Sequence, residues 1–233
     1  MQMAIRRAAE RGHANHGWLD TNHTFSFAGY YDPRFMGFSH LRVINEDRVS
    51  GGGGFPPHPH RNMEIISYVV EGALEHRDTM GTGTVIRPGE VQLMSAGTGV
   101  AHSEYNHSHD DAVHFLQIWV LPKEAGTAPR YDQRAFPADD PDFRGLRLVV
   151  SPDGRDGSLT IGQDMDLHRL LLDEGGTATH TTQRERAWVQ VVRGELEVNG
   201  VLLQASDGLA IEGAERLSFT AHGPVEALVF DLV

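Results

Sequence analysis

The segment GGGGFPPHPHRNMEIISYVVEG, residues 51–72, joins a glycine- and proline-rich stretch to an apolar run. His58 and His60 lie two positions apart at the end of the first part. In a β-strand, residues i and i+2 point to the same side. Both imidazoles can therefore face the interior of a barrel, and the spacing indicates two ligands of one metal ion.

A second glycine-rich turn precedes another histidine, in SAGTGVAHSEYN, residues 95–106. His102, Glu104 and Asn106 share one face of a strand by the same period of two. If the strands carrying residues 58–60 and 102–104 are neighbours, three imidazoles and one carboxylate converge. Such a ligand set suits Fe(II), Ni(II), Mn(II), Cu(II) or Zn(II) and leaves one or two positions open for a substrate.

Each segment alone has a plainer interpretation. An H-x-H pair also describes two half-exposed strand histidines that form local hydrogen bonds, and His102-x-Glu104 is weaker still as a metal motif. Two such segments, each after a glycine-rich turn, together favour the metal site.

Strand patterns dominate the chain of 233 residues. Short β-rich runs such as MEIISYVV, HFLQIWVL, AWVQVVRG and ALVFDLV are separated by Gly, Pro, Asn and Asp turns. Candidate helices are few and short. The pattern predicts an all-β sandwich or barrel.

An internal sequence similarity, or echo, predicts two similar structural units. YVVEGALEHRD (residues 68–78) resembles QVVRGELEVNG (residues 190–200), and residues 122–145 between them are rich in Pro, charge and small side chains, as a connector would be. We expect an N-terminal domain over residues 1–133 and a C-terminal domain over residues 134–233.

Composition narrows the class of protein. The formal net charge is −12 and no Lys/Arg run is present, which argues against direct binding to nucleic acid. Cysteine is absent, so a thiolate metal site or a cysteine nucleophile is excluded. No signal-peptide or membrane-span pattern is seen, and we expect a cytoplasmic protein without a membrane partner.

The metal segments also carry a family resemblance. The motif G-x5-H-x-H-x3-E-x7-G, from Gly52 to Gly72, closely resembles the first metal-binding motif of cupins, and residues 99–106 resemble the second. HPHRNMEIISYVVEG, LMSAGTGVAHSEYN and LQIWVLP resemble pirin and the bacterial pirin-like proteins, as does NHGWLDTNHTFSFAGYYDP near the N-terminus. The resemblance covers the whole chain. It implies a bicupin: two antiparallel, jelly-roll-like β-barrels with metal only in the N-terminal one.

The resemblance leaves two candidates for the carboxylate ligand. General cupins use the glutamate of the first motif, here Glu64, whereas the pirin family uses the glutamate two positions after the third histidine, here Glu104. The HSE tripeptide favours Glu104. Glu64, which would share a side with His60 in a regular strand, then becomes either a residue that orients a ligand histidine or a salt-bridged barrel residue. Asn106 is a further candidate for an orienting role.

The second half fits a barrel without metal. Setting Gly194 on Gly72 places His180 at His58, Thr182 at His60 and Arg186 at Glu64. An arginine inside the barrel would repel a divalent ion. We therefore expect the C-terminal domain to bind no metal and to have a structural role.

The resemblance further implies a function. Some pirin-like proteins are quercetin 2,3-dioxygenases, which open the flavonol ring with O2 and release carbon monoxide. One divalent metal per chain is implied, Fe(II) being the first choice and Ni, Mn, Cu, Co or Zn the alternatives, with Glu104 as ligand and general base. Four apolar residues near the motifs are candidates for the pocket wall, although ordinary core packing is the favoured explanation for each one taken singly: Phe38, Phe55, Met63 and Phe115.

A different class of function stays open. Pirin itself is also regarded as a metal-dependent regulator that binds a protein partner, in which case flavonol turnover is incidental. Cupin metal sites also serve other enzymes, so fold and ligands do not choose the substrate.

Overall fold

A computed structural model describes residues 1–138, 145–213 and 215–233. Two short 3-10 helices, Ala8–Glu10 and Arg155–Gly157, accompany the strands. The strands are β1 (Gln2–Arg6), β2 (Gly12–Asn15), β3 (Leu19–His23), β4 (Leu41–Val49), β5 (Gly54–His60), β6 (Glu64–Glu71), β7 (Leu74–Asp78), β8 (Gly83–Ile86), β9 (Glu90–Ser95), β10 (Val100–Asn106), β11 (Val113–Val120), β12 (Arg130–Ala135), β13 (Gly145–Ser151), β14 (Leu159–Thr160), β15 (Met165–Leu172), β16 (Thr177–Thr181), β17 (Arg186–Arg193), β18 (Glu195–Val198), β19 (Val201–Gln204), β20 (Gly208–Glu212), β21 (Arg216–Ala221) and β22 (Val225–Leu232).

The first of two compact units comprises Gly12–Pro137 and Ile161–Gln163. Its seven-stranded sheet has the order β12-β9-β6-β11-β4-β3-β2, and its four-stranded sheet has the order β5-β10-β7-β8. One buried apolar cluster joins residues of both sheets: Leu19, Val49, Val69, Leu74, Ile86, Val113 and Phe115. This cluster fills one part of the interior. The strands that carry the histidine motifs border the remaining part.

The second unit comprises Met1–Arg11, Ala138–Thr160 and Asp164–Val233. Its sheets have the orders β1-β20-β17-β22-β15-β13-β14 and β16-β21-β18-β19. A two-residue turn, Asn199-Gly200, joins β18 to β19, and both residues have positive φ (48° and 82°). That conformation is the type I′ hairpin turn that Asn-Gly favours.

The two units repeat one plan, as the internal echo predicts. In each, a seven-stranded sheet accompanies a four-stranded one, and β6 and β17 occupy the same position in their sheets. The all-β, two-unit jelly-roll class is thereby confirmed, although the strands form separate sheets rather than closed barrels.

Residues 1–11 belong to the second unit, which the sequence did not indicate. The predicted boundary between residues 133 and 134 stays a prediction. Within the described ranges, no helix is long and apolar enough to cross a bilayer. The cytoplasmic location also stays a prediction.

Candidate metal centre

Two neighbouring strands bring the three motif histidines together. β5 and β10 pair in antiparallel fashion with His58 directly opposite His102. Ring centroids are 4.5 Å apart for His58 and His102, and 4.8 Å apart for His60 with either of them. The potential ligand atoms of these three side chains all lie within 4.8 Å of one another. The strand adjacency on which the sequence argument depended is therefore present.

The ring orientations suit a shared cation. His58 directs Nδ1 at the Pro56 carbonyl oxygen, 2.8 Å away, so its Nε2 is the free ligand atom. That Nε2 lies 3.1 Å from Nε2 of His102. Two nitrogens at this distance either share a proton or bind one ion, and cis ligands about 2.1 Å from a metal have nearly this separation. The donor set thus fits a divalent transition metal.

Burial keeps the imidazoles of His60 and His102 neutral. The pKa of His60 falls to about 4, mainly through burial and then through the neighbouring His102 and His58, against an opposing contribution from Glu104. The pKa of His102 falls to about 3, again through burial first and then through His58 and His76. Only a neutral imidazole has a lone pair for a metal, so both residues are ready to bind one at neutral pH.

Glu104 is buried and held by two side chains. Gln117 Nε2 donates a hydrogen bond of 2.6 Å to Oε2, and the Ser67 hydroxyl lies 3.0 Å from Oε1. The carboxylate is within 4.8 Å of a ligand nitrogen of His102, in a second potential metal group that includes His76. The carboxylate therefore adjoins the three-histidine group through His102, and its role as fourth ligand stays a prediction.

Glu64 faces away from the histidines. Its carboxylate accepts hydrogen bonds from Ser95 Oγ (2.7 Å) and from the Gly162 backbone N–H (3.2 Å). The expected shared side with His60 fails because the chain does not stay extended: Asn62, with φ of +50°, turns it between β5 and β6. Ser67, which contacts Glu104, lies on the other face of β6. Glu64 is a buried hydrogen-bonded residue and orients none of the three motif histidines.

Asn106 also has a structural role. Its side-chain amide donates to the carbonyl oxygens of Val49 (2.9 Å) and Asp111 (2.7 Å), and its Oδ1 accepts from the Ser108 N–H. These bonds fix the end of β10 and the loop that follows it. The expected orienting contact with a ligand histidine is absent from the hydrogen bonds of its described side chain.

A cavity of about 430 Å³ opens beside the histidines. His58, His60 and Glu104 line one side, while aromatic walls come from Phe27, Phe55 and Trp119. A volume of this size, with apolar walls and a few converging polar groups, is typical of a small-molecule site.

Of the four predicted wall residues, the structure places only Phe55 in the lining. Phe115 shares a face of β11 with Gln117 and Trp119 but lies nearer the strand start, in the fully buried core. Met63 packs against a second buried cluster, and Phe38 lies in a turn that bridges to Leu41; that cluster consists of Ile65, Met94, Ala96 and Val100. Nearness in sequence to the motifs did not identify the cavity lining. Neighbouring residues of a strand face opposite sides, so that one borders the cavity while the next lies in another layer, in the core.

Asp47 is a cavity residue that the sequence did not reveal. Burial raises the pKa of this carboxyl to about 7; a hydrogen bond with Thr21 opposes the shift, and the charges of Glu104 and Glu46 add to it. Trp119 was equally unforeseen, and its ring meets that of His60 edge-on at 4.9 Å.

His76 is the most important residue that the sequence reasoning passed over. It lies fully buried on β7, directly opposite Glu104 of β10, with its ring 5.2 Å from that of His102. The available signal was His76-x-Asp78, a second period-two pair of metal-binding residue types shortly after Gly72.

The second unit has no group of three potential ligands among its described residues. His180 contacts Asp231 (Nε2 to Oδ2, 3.2 Å) and lies next to His168, with ring centroids 4.6 Å apart and the rings tilted by 56°. Arg186 pairs with Glu212 at 3.4 Å. The expectation that this unit binds no metal stays a prediction.

Comparison with known proteins gives consistent matches along the chain. Residues 4–120 match the family model described as Pirin, and residues 148–232 match the one described as Quercetinase C-terminal cupin domain. A protein of Escherichia coli K12 named quercetin 2,3-dioxygenase is 53% identical over 229 residues, which cover 98% of this chain and 97% of that protein. A pirin-like protein of Caulobacter vibrioides is 39% identical over 94% of this chain and 95% of its own.

A solved structure matches equally well. The bacterial pirin YhhW of Escherichia coli in complex with nickel(II) superposes with a TM-score of 0.94 at 52% identity, covering 99% of both chains.

Proposed function

This chain belongs to the pirin family, and on that premise we propose that it is a metal-dependent dioxygenase that opens the central ring of a flavonol such as quercetin with O2 and releases carbon monoxide. The observation that carries the proposal is the convergence of His58, His60 and His102, of which His58 and His60 line one side of an aromatic-walled cavity. The name of the 53% identical relative and the nickel complex of YhhW support it.

The three histidines would hold one divalent transition metal, with Glu104 as the fourth ligand. Fe(II) is our first choice, and nickel is the alternative that the YhhW complex supports. Such a metal, when bound, supplies Lewis acidity toward the flavonol 3-oxygen and a redox partner for O2.

The side chains of the cavity would carry out the rest. Glu104 takes the proton of the 3-hydroxyl as general base, and its bonds to Gln117 and Ser67 aim the carboxylate. Phe27, Phe55 and Trp119 hold the flat ring system and exclude water. In the balanced reaction both atoms of O2 enter the ester product, and ring carbon 3 leaves as carbon monoxide with its own oxygen.

The test is turnover by metal-reconstituted protein. The purified protein is stripped, reloaded separately with Fe(II), Ni(II), Mn(II), Cu(II), Co(II) or Zn(II), and followed for quercetin loss and carbon monoxide release. We expect multiple turnovers with stoichiometric carbon monoxide, abolished in His58→Ala and Glu104→Ala. His114→Ala is the matched control, because His114 lies on the opposite face of β11 from Gln117 and pairs with Glu46.

Metal binding without turnover under every metal would refute the dioxygenase proposal. A metal-dependent regulator with a protein partner would then be the next hypothesis to test.

A further inference from the structure

A buried chain of three side chains leads away from the candidate metal site. His102 Nδ1 lies 3.4 Å from Nδ1 of His76, and His76 Nε2 lies 2.9 Å from Oδ2 of Asp78. The side chains of His76 and Asp78 are both fully buried. The Tyr131 ring lies 4.7 Å from the His76 ring at 31° and limits its tilt. Of these side chains, only His102 belongs to the three-histidine group.

The hydrogen bonds of Asp78 determine which nitrogen of His76 carries its proton. Oδ1 of Asp78 accepts from the backbone N–H groups of Met80 (2.8 Å) and Thr82 (3.0 Å). Burial would raise the pKa of Asp78, but the bonds from His76 and these two N–H groups hold it below its ordinary value. Asp78 is therefore an acceptor only, and Nε2 of His76 must donate to it.

The consequence passes along the chain to the metal site. A neutral His76 that is protonated on Nε2 has a lone pair on Nδ1, which faces Nδ1 of His102. His102 must then carry its proton on Nδ1, and its Nε2 lone pair is left facing Nε2 of His58. Metal-binding histidines are commonly oriented in this way by an acceptor for the second ring nitrogen.

We propose that His76 is a positioning residue: it accepts the Nδ1 proton of His102, under the control of Asp78, so that His102 presents Nε2 to the metal. This inference rests on the proposed function in that it presupposes a metal at His58, His60 and His102. The competing role for His76 is that of a direct ligand, since its nitrogen also lies within 4.8 Å of ligand atoms of His102 and Glu104.

Three variants separate these roles. His76→Phe removes the acceptor but keeps a flat ring against Tyr131. His76→Asn keeps a carbonyl acceptor near the position of Nδ1. Asp78→Asn keeps an acceptor for Met80 and Thr82 but directs an N–H₂ group at His76, which reverses the tautomer without removing any ring. His114→Asn, a change at a carboxylate-paired histidine of β11, is the matched control.

The first readout is the dissociation constant for Zn(II) and Ni(II), measured by chelator competition on the stripped full-length protein. We expect His76→Phe and Asp78→Asn to weaken binding by about 10- to 100-fold, His76→Asn to weaken it less, and His114→Asn to leave it unchanged. Unchanged affinity in both His76→Phe and Asp78→Asn would overturn the proposal. Circular dichroism and thermal melting check the fold of each variant, and Asp78→Asn carries the test if His76→Phe does not fold.

The second readout is imidazole ¹⁵N NMR of the Zn(II)-loaded wild type. The proposal requires His76 to be protonated on Nε2 and unprotonated on Nδ1, and His102 to be protonated on Nδ1 with a metal-shifted Nε2. A metal-shifted nitrogen on His76 would make it a ligand and overturn the proposal. If the wild type binds no metal, the proposed function fails as well, whereas tight binding with unaffected variants refutes only the role of His76.

Discussion

The carboxylate of Glu104 depends on its neighbours for orientation. Gln117 donates to one oxygen at 2.6 Å and the Ser67 hydroxyl lies 3.0 Å from the other, so neither oxygen is free to rotate without losing a partner. In a buried site, a lost hydrogen bond costs about 1–3 kcal/mol. The position of this candidate ligand and base is thus fixed by residues of β6 and β11.

Gln117→Leu should therefore weaken metal binding by roughly 10-fold and slow turnover, because Glu104 loses its shorter hydrogen bond. The change is measured by chelator competition and by quercetin loss. Ser95→Ala is the control: Ser95 donates to Glu64, which faces away from the site. Equal affinity for Gln117→Leu and wild type would show that Glu104 needs no such support.

The lowered pKa of His168, in the second unit, predicts that the protein loses stability in acid. Burial lowers its pKa from 6.5 to about 4, helped by His180 and Arg155 and opposed by Asp166 and Asp231. Between these two pH values the unfolded chain binds a proton that the folded chain does not, so the free energy of unfolding falls as the pH falls. His168→Gln removes this titration.

Between about pH 7.5 and pH 4.5 we expect wild type to lose about 2–3 kcal/mol more than His168→Gln. Urea unfolding at both pH values measures the difference. Parallel losses in the two proteins would mean that His168 titrates normally in the folded state.

Individual residues were predictable from the sequence where a strand stayed regular. His58, His60 and His102 followed from the period of two, and the structure brings them together. The prediction that Glu64 shares a side with His60 was wrong, because Asn62 has a positive φ and turns the chain between β5 and β6. His76 was missed because its partner is an aspartate and its strand begins without a glycine-rich approach.

The element that delivers His102 is the turn before β10. Gly97 has φ of +45°, and a Cβ at this position would collide with the Thr127 carbonyl oxygen, which also accepts from the Thr98 N–H. Gly97 is thus required by both backbone conformation and close approach. The packing of this turn cannot be predicted from a local pattern, since its partner Thr127 lies 30 positions later in the chain.

Gly97→Ala should lower the free energy of unfolding by more than about 2 kcal/mol and weaken metal binding, because the turn must move and His102 moves with it. Gly81→Ala is the matched control: it has φ of +94° but nothing within 4 Å of the added atom. It should cost only about 1–2 kcal/mol of strain and leave metal affinity unchanged. Thermal melting and chelator competition test both, and similar behaviour of the two variants would argue against the collision.

At the scale of the whole molecule, each unit takes one edge strand from outside its own half of the internal repeat. β12, in the connector, pairs with β9, and β1 pairs with β20 over Gln2–Arg6. Arg7 and Ala8 continue this attachment through Asp207, with both contacts at 2.7 Å. The internal similarity in the sequence predicted two units but could not assign these edges, since pairing over about 40 residues for β12 and some 200 for β1 leaves no local signature.

Deleting residues 1–6 should expose one edge of β20 and leave the candidate metal centre intact. We expect faster hydrogen exchange at alternate amides of Gly208–Glu212. Exchange in Val100–Asn106 and affinity for Zn(II) should not change, which provides an internal control. Unchanged protection in β20 would mean that β1 adds nothing to that sheet.

The pairing of β1 with β20 has a consequence for synthesis on the ribosome. At about 5–20 residues per second, a strand at positions 2–6 waits roughly 10 to 40 s before its partner at positions 208–212 is made. Throughout that delay its apolar side chains and unpaired backbone are available to chaperones or to other nascent chains. The charges of Arg6 and Arg7, at the end of this strand, are of the kind that discourage edge-to-edge association while it waits.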